Sequence, residues 1–213
     1  MRFLPSITVA LIAMFCQSLP GQNAPPSAAK GLAPRPTSAD YQTQAQAGTL
    51  TIAAEFAGHG VPTADGVFST EEYVVVEVAM FGPSGTRLKL SYNDFSLRIN
   101  GKKSALPAQP FELAFHSLKD PEWTSAVPAE SKSKTGINSG GGQGESAPAP
   151  VKMPLNLTLA MEQKVRVASL PEGERPLPTA GLVFFQQGGK RSSMRSVELL
   201  YIGAAGKATL TLQ

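Results

Sequence analysis

The sequence predicts an all-β protein, an antiparallel β-sandwich with one short amphipathic helix. Runs in which every second residue is apolar recur between residues 48 and 212, and turn-forming Gly, Pro, Asn and Asp residues separate them. Only one segment has the apolar spacing of a helix. Roughly seven to eight short strands joined by turns are typical of a sandwich. The 213 residues suffice for one such domain with disordered segments around it.

The clearest strand signals form three consecutive segments. Tyr73–Phe81 is apolar on both alternating faces and rich in Val, which predicts a central strand buried on two sides. Residues 82–85 predict a turn, and the alternation of residues 88–92 beyond it predicts the second strand of a hairpin. Phe95–Ile99 alternates in the same way before Asn100-Gly101, a strong signal for a tight turn. We therefore predict three consecutive antiparallel strands.

The remaining strands are predicted from shorter patterns. Five more segments alternate or are apolar throughout: residues 48–56, 111–115, 181–187, 195–201 and 207–212. The last two are predicted to form a closing hairpin around residues 203–206. Residues 58–69 are predicted to be a loop.

One amphipathic helix is predicted at about residues 156–170. Its apolar side follows the spacing i, i+3, i+4, i+7, i+8 and i+11, with one lysine in it: Leu157, Ala160, Met161, Lys164, Val165 and Ala168. Asn156 is placed to cap its start, and the Leu-Pro-Glu-Gly sequence at residues 170–173 is placed to end it. We expect this side of the helix to pack on the core at one end of the sheets.

Residues 1–21 are predicted to be a secretory signal peptide. One positive charge at the start precedes an apolar stretch, residues 3–15, which is too short to span a membrane comfortably. Cleavage after Gly21 fits the preference for small residues best, with Ser18 and Ala24 as alternatives.

Two further segments are predicted to be disordered. Residues 22–47 are rich in Pro, Ala, Ser and Gln and have almost no large apolar residue, so we interpret them as a linker. Residues 129–150 are a low-complexity insertion with three consecutive glycines. The folded domain is therefore predicted at residues 48–213.

Charge and cysteine content restrict the class of protein. The formal net charge is +3, and it falls to +2 when Arg2 leaves with the signal peptide. The cations are scattered and no basic face interleaved with aromatic residues occurs, so we expect no nucleic-acid partner. Cys16 is the only cysteine, and Phe15 stands where a lipoprotein signal needs a small residue. The exported domain is therefore expected to have neither disulfides nor thiol chemistry.

The sequence predicts no catalytic, cofactor-binding or metal-binding residues. His59 and His116 are the only histidines, and they lie on separate segments without an accompanying ligand cluster. No Gly-x-Ser-x-Gly motif occurs, and the glycines at residues 140–142 and 188–189 satisfy no phosphate-loop pattern. The adjacent carboxylates Glu71-Glu72 are expected to be solvated loop residues. We therefore predict that the protein is not an enzyme and has no cofactor.

Several segments resemble a known group of exported proteins. These are residues 73–78 (YVVVEV), residues 93–97 before 100–102, and residues 181–184 ahead of 197–199 and 206–208. They resemble exported bacterial immunoglobulin-like domains of unknown function, similar to the mycobacterial immunoprotective extracellular antigen superfamily. The resemblance covers about residues 48–212, apart from the insertion and the helix. It implies an immunoglobulin-like β-sandwich and supplies no catalytic residues.

The predicted function follows from the lack of predicted catalytic, cofactor-binding and metal-binding residues and from the predicted signal peptide. We expect a non-catalytic binding or assembly module of the bacterial cell envelope, periplasmic or extracellular, with an envelope protein as a possible partner. The alternatives are a structural or accessory envelope protein, a binder of small ligands or metals, and a chain tethered to the membrane by an uncleaved signal.

Export is the first testable prediction. A fusion of residues 1–47 to a reporter enzyme that folds only outside the bacterial cytoplasm is expected to be active. Replacing Leu11 and Ile12 by Arg is expected to remove most of that activity, because charges interrupt the apolar stretch that a signal peptide needs. The control fusion carries Gln42→Arg and Gln44→Arg, outside that stretch. Equal activity of all three fusions would contradict the signal peptide.

Overall fold

The computed structural model describes residues 29–120, 153–187 and 194–213. The predicted signal peptide, the predicted insertion at residues 129–150 and the glycines at 188–189 lie outside the described residues. The strands are β1 (Thr43–Ala47), β2 (Leu50–Gly58), β3 (Gly60–Thr63), β4 (Gly66–Thr70), β5 (Tyr73–Phe81), β6 (Arg87–Leu90), β7 (Phe95–Ile99), β8 (Leu106–Gln109), β9 (Leu118–Lys119), β10 (Gly173–Pro176), β11 (Thr179–Gln186), β12 (Val197–Gly203) and β13 (Gly206–Thr211). The α-helices are α1 (Phe111–Phe115) and α2 (Leu155–Ala168), and short 3₁₀ helices lie at Ser38–Asp40 and Tyr92–Asp94.

Eight strands form one antiparallel sheet in the order β1-β2-β5-β11-β8-β7-β12-β13. The edge strands β1 and β13 approach each other, and the Gln42 side-chain amide donates a hydrogen bond to the Leu212 carbonyl. The sheet therefore curls into a nearly closed barrel, in line with the right-handed twist that accumulates across strands. Apolar side chains from both halves fill its interior, among them Val74, Val76, Val78, Met80, Phe95, Leu97, Val197, Leu199 and Tyr201.

Strand β5 is buried on both faces, as its sequence predicts. Val74, Val76 and Val78 point into the barrel. On the outer face Tyr73 and Val75 pack under α2 and a small sheet of order β3-β4-β9. The apolar side of α2 supplies Met161, Val165 and Ala168 to this second core. A fully buried Met or Val side chain contributes roughly 1.5–3 kcal/mol.

The N-terminal segment is folded from residue 29 onward, so the prediction of a disordered linker at residues 22–47 is wrong for this part. Thr43–Ala47 forms β1, which pairs with β2 through backbone hydrogen bonds and needs few apolar side chains. Tyr41 is buried with three alanines of the outer face. The centroids of the Tyr41 and Phe81 rings lie 6.0 Å apart in an edge-to-face arrangement. Two isolated large residues, Leu32 and Tyr41, therefore supply the burial that composition alone did not indicate.

Two predicted connections differ in the structure. β5 pairs with β2 and β11, while β6 leaves the large sheet and pairs with β10. The predicted hairpin of β5 and β6 is therefore wrong, because the turn at residues 82–85 redirects the chain without pairing its two sides. The predicted loop at residues 58–69 is the hairpin β3–β4, which buries Val61 and Phe68.

Residues 111–115 form a short helix where the sequence predicts a strand. Pro110 precedes the first turn with extended backbone, and Ala114 is the buried residue of α1. Leu113 is 52% exposed. The alternation of Phe111, Leu113 and Phe115 does not distinguish a strand from a helix, because five residues are too few to separate the apolar spacing of a strand from that of a helix.

Helix α2 confirms the predicted helix, with boundaries shifted by one or two residues. Pro154 precedes it and no side chain caps it, so the predicted cap by Asn156 is wrong. Leu157, predicted on the core side, is 43% exposed.

Asn100 and Gly101 have φ of 52° and 65°, which confirms the predicted tight turn. Among the described residues, no helix has the length and apolarity needed to span a membrane.

The mostly β, antiparallel class with one amphipathic helix is thus confirmed. In place of two separate sheets, however, the large sheet is continuous through β8, which pairs with both β11 and β7. The strands of a sandwich and of a curled sheet carry the same alternation, so the sequence pattern does not separate them.

The packing at Gly181 generates a stability prediction. A Cβ there would lie 2.6 Å from the Leu170 nitrogen, a backbone atom that has no room to move aside. Gly181→Ala is expected to lower the free energy of unfolding by about 3 kcal/mol or more, measured by denaturant titration. The control Gly85→Ala meets no atom within 4 Å and costs only about 1 kcal/mol for its left-handed backbone. Equal costs for the two variants would contradict the close approach.

Candidate functional site: the cavity at the β8–β11 seam

The large sheet opens between β8 and β11. These strands pair only at Phe184 with Gln109 and at Phe185 with Ala108. Beyond them, the edge of β11 is met by the chain that leaves α2, where the Leu170 nitrogen donates to the Leu182 carbonyl at 2.9 Å. Because this segment replaces a neighbouring strand only in part, a gap remains in the wall of the sheet. We call this gap the seam.

A cavity of about 330 Å³ lies at the seam. This volume is at the lower end of the range of small-molecule sites, about 300–1,000 Å³. Its apolar lining includes Phe111, Leu170, Leu182, Val183 and Phe184. Four charged residues also line it: Glu112, Arg166, Glu172 and Arg175. An apolar floor with a few polar groups is the usual composition of a ligand site.

Arg166 of α2 is held in place on one side of the cavity. Its Nη2 donates to Glu162 Oε1 at 2.8 Å, one helical turn away. Its guanidinium carbon lies 5.3 Å from the centre of the Phe111 ring, a cation–π contact. The Arg166 Nε is buried and has no hydrogen-bond acceptor among the described residues. This guanidinium is therefore oriented by contacts that leave part of its donor capacity unused.

The opposite side of the cavity is a turn with its own polar contacts. Arg175 Nε donates to the Glu172 carbonyl at 3.1 Å. The Glu172 side chain accepts from the Ser91 hydroxyl at 3.2 Å through Oε1. These contacts fix the turn between α2 and β10 against the residues before β7.

The N-terminal segment completes the wall of the site. Ala29 lines the cavity, and the Gly31 nitrogen donates to the Val167 carbonyl at 3.0 Å. Gly31 has a φ of 84°, and a Cβ on it would overlap the Ala180 carbonyl, so no larger residue fits there. The start of the described chain is thereby positioned between α2 and β11.

A partly buried ionic cluster anchors this segment to the sheet. Arg35 contacts Glu55 of β2 at 2.8 Å and Glu77 of β5 at 3.5 Å. Its guanidinium carbon lies 4.5 Å from the centre of the Tyr41 ring, and its backbone nitrogen donates to the Tyr41 hydroxyl at 3.1 Å. The Glu77 side chain is only 12% exposed. Burial raises the pKa of Glu77, the negative charge of Glu55 raises it further, and Arg35 opposes both.

A second cavity of about 260 Å³ lies between the N-terminal segment, the β3–β4 turn and α2. Its lining is mainly small or apolar, and its two charged residues, Asp65 and Lys164, form an ion pair at 3.4 Å. Lys164, the one misfit in the predicted apolar side of the helix, thus has a partner. Its two charges are paired with each other, whereas Arg175 and Glu112 of the seam cavity form no ion pair with the described residues, so this cavity is the weaker candidate for a polar ligand.

The residues singled out by sequence lie away from the seam. His59 Nδ1 is 2.8 Å from the Tyr73 carbonyl, a structural contact, and His116 is exposed at the end of α1. Glu71 forms an ion pair with Lys119 at 2.9 Å near the surface. No group of three or more potential metal ligands occurs within residues 29–120, 153–187 and 194–213.

The sequence predicts none of the four charged residues of the cavity as site residues. Glu112 lies in a predicted strand, and Arg166 lies outside the predicted apolar side of the helix. Glu172 and Arg175 lie in and after the segment that ends the helix. No spacing links these residues, because the seam that unites them is made by tertiary packing.

Comparison with known proteins adds no relative: no family model, no curated protein and no solved structure matches the chain. The resemblance to exported immunoglobulin-like domains therefore stays a prediction.

The cluster around Glu77 generates a pH prediction. Because its pKa is raised in the folded protein, its contribution to stability is fully present below its ordinary pKa of 4.5 and is lost as the pH rises through the raised value. Glu77→Gln mimics the protonated acid, so the variant should gain stability relative to wild type as the pH rises from about 4.5 to 7. Denaturant titrations across this range measure the difference.

Glu174→Gln, on the exposed β6–β10 pair, controls for the loss of one carboxylate. A difference between Glu77→Gln and wild type that stays constant with pH would contradict the raised pKa.

Proposed function

We propose that this protein is an exported, non-catalytic binding module of the bacterial cell envelope and that the seam cavity is its ligand site. The observation that carries the proposal is the cavity itself, an apolar floor of about 330 Å³ with two guanidinium and two carboxylate groups on its lining. A pre-formed concave site of this composition suits reversible recognition of a small molecule.

The chemistry of the lining supports binding over catalysis. The Ser169 hydroxyl, a possible nucleophile there, donates to the Val165 carbonyl at 2.8 Å and is not placed beside a base. Neither histidine lines the cavity. Arginines that are oriented by Glu162 and by the Glu172 carbonyl are suited to hold a ligand in one orientation.

The exported, immunoglobulin-like part of the proposal has separate support. The first residues have the pattern of a signal peptide. The halves β1-β2-β5-β11 and β8-β7-β12-β13 face each other across one apolar core, as the two sheets of a sandwich do. We therefore interpret the curled sheet as a variant of the sandwich.

Assembly with an envelope protein is the second candidate function. Leu155 and Leu159, one turn apart on α2, are 72% and 54% exposed, and Leu113 of α1 is 52% exposed. Two exposed leucines on one face of a helix, as on α2, favour contact with another protein. A binding module that also assembles would use this surface together with the cavity.

Filling the cavity tests the proposed ligand site. Gln109 lies on the rim at the end of β8 beside Phe184. A broad library of small metabolites, screened by thermal shift, is expected to contain compounds that stabilise the wild-type protein. Gln109→Trp is expected to weaken their binding by at least about tenfold, because the indole occupies the space of the ligand.

The control variant is Thr209→Trp, an exposed strand position on β13. It adds the same side chain to a strand away from the cavity and should leave binding unchanged. The proposal would be overturned if no compound bound, or if the two tryptophan variants affected binding equally.

A further inference from the structure

We propose that the seam cavity takes a small zwitterion with an apolar body, such as an apolar amino acid or dipeptide. This inference rests on the proposed function and names the class of ligand. Its starting observation is charge balance: the lining has two cations, Arg166 and Arg175, and two anions, Glu112 and Glu172. A ligand that carries one charge of each sign finds a partner of opposite sign on such a lining for each of its charges.

The carboxylate of the ligand fits the arginines. A guanidinium has five N–H donors in a planar fork that matches a carboxylate. Arg166 uses one toward Glu162, and Arg175 uses its Nε toward the Glu172 carbonyl. Among the described residues, the two Nη groups of Arg175 and the Nη1 of Arg166 have no acceptor. Donor capacity on both sides of the cavity is thus available to an incoming carboxylate.

The ammonium of the ligand fits the carboxylates. Glu112 lies in the first turn of α1 and is exposed, with no hydrogen bond or ion pair to the described residues. Glu172 uses Oε1 to accept from Ser91, which leaves its second oxygen to accept from an ammonium. Both carboxylates line the cavity, so an ammonium of the ligand has two acceptors there.

The same charges argue against other ligand classes. A phosphate dianion would meet the two arginines but also lie beside two carboxylates, which repel it. A wholly apolar ligand would remove water from the charged groups and supply no partner for them. The apolar body of a zwitterion instead contacts Phe184 and Leu170 at the floor and the Phe111 ring at the side.

Size limits the ligand to one or two residues. The cavity volume of about 330 Å³ is small for an organic ligand. The pairing of Phe185 with Ala108 closes the seam at one end, and the hydrogen bond from Leu170 to Leu182 limits it at the other. An extended peptide would therefore find no continuous strand edge to pair with.

The test is a charge series on the full chain purified after export. Isothermal titration compares a panel of apolar amino acids and dipeptides with their N-acetyl derivatives, their C-terminal amides and inorganic phosphate. At least one zwitterion is expected to bind, and removal of either charge should weaken binding by about tenfold or more, because each charged hydrogen bond is lost. Inorganic phosphate should not compete with the zwitterion for the cavity.

Variants assign each charge to its partner. Arg175→Gln should weaken binding of the zwitterion and reduce the difference in affinity between the zwitterion and its C-terminal amide. Glu112→Gln should reduce the difference in affinity between the zwitterion and its N-acetyl derivative. Arg195→Gln, an exposed arginine away from the seam, is the matched control and should change neither. All three positions are exposed or half-buried, so their substitution leaves the core intact. Arg166 is not substituted, because it also packs on the Phe111 ring.

The outcomes separate this inference from the proposed function. Equal binding of a zwitterion and its two derivatives, or competition by phosphate, would overturn the charge assignment. A second outcome is that no zwitterion binds, but a library compound does and Gln109→Trp weakens the binding of that compound. In that case the cavity is a ligand site, and the proposed class of ligand is wrong. If nothing binds to the cavity, both proposals fail.

Discussion

Burial of β5 on both faces is the constraint on which the rest of the structure depends. A strand with Val74, Val76 and Val78 on one face and Tyr73 and Val75 on the other has no face to expose to water. The curled sheet covers the first face. On the second, α2 and the small sheet cover one end, and the N-terminal segment from residue 29 covers the other. The outer cover is therefore assembled from three parts of the chain that are far apart in sequence.

The seam follows from this assembly. The chain that leaves α2 lies beside β11 at Ser169 and Leu182, where a full neighbouring strand would otherwise pair. Gly181 allows this approach because it has no side chain to keep the backbones apart. The sheet is thereby interrupted after two residue pairs with β8, and charged residues of α1, α2, the following turn and β10 surround the gap. The same packing that protects β5 thus creates the cavity.

Local patterns predicted the elements that bury a complete apolar face. β5, β11, β12, β13 and α2 all carry enough alternation or helical spacing to be recognised from sequence. β1 was missed because a strand held by backbone pairing needs little apolar content. The short helix at Phe111–Phe115 was mistaken for a strand because its few residues fit both periods. The sequence does not predict the cavity, since only tertiary packing brings Glu112 and Arg166 to one lining.

Amide hydrogen exchange of the full chain tests most directly whether the N-terminal segment covers the central strand. We predict that the amides of Tyr73–Phe81 exchange among the slowest. We also predict strong protection at Gly31, whose N–H donates to the Val167 carbonyl. Exchange of residues 29–42 at the rate of an unstructured peptide would contradict this role of the N-terminal segment, because the outer face of β2, β5 and β11 would then lack its cover.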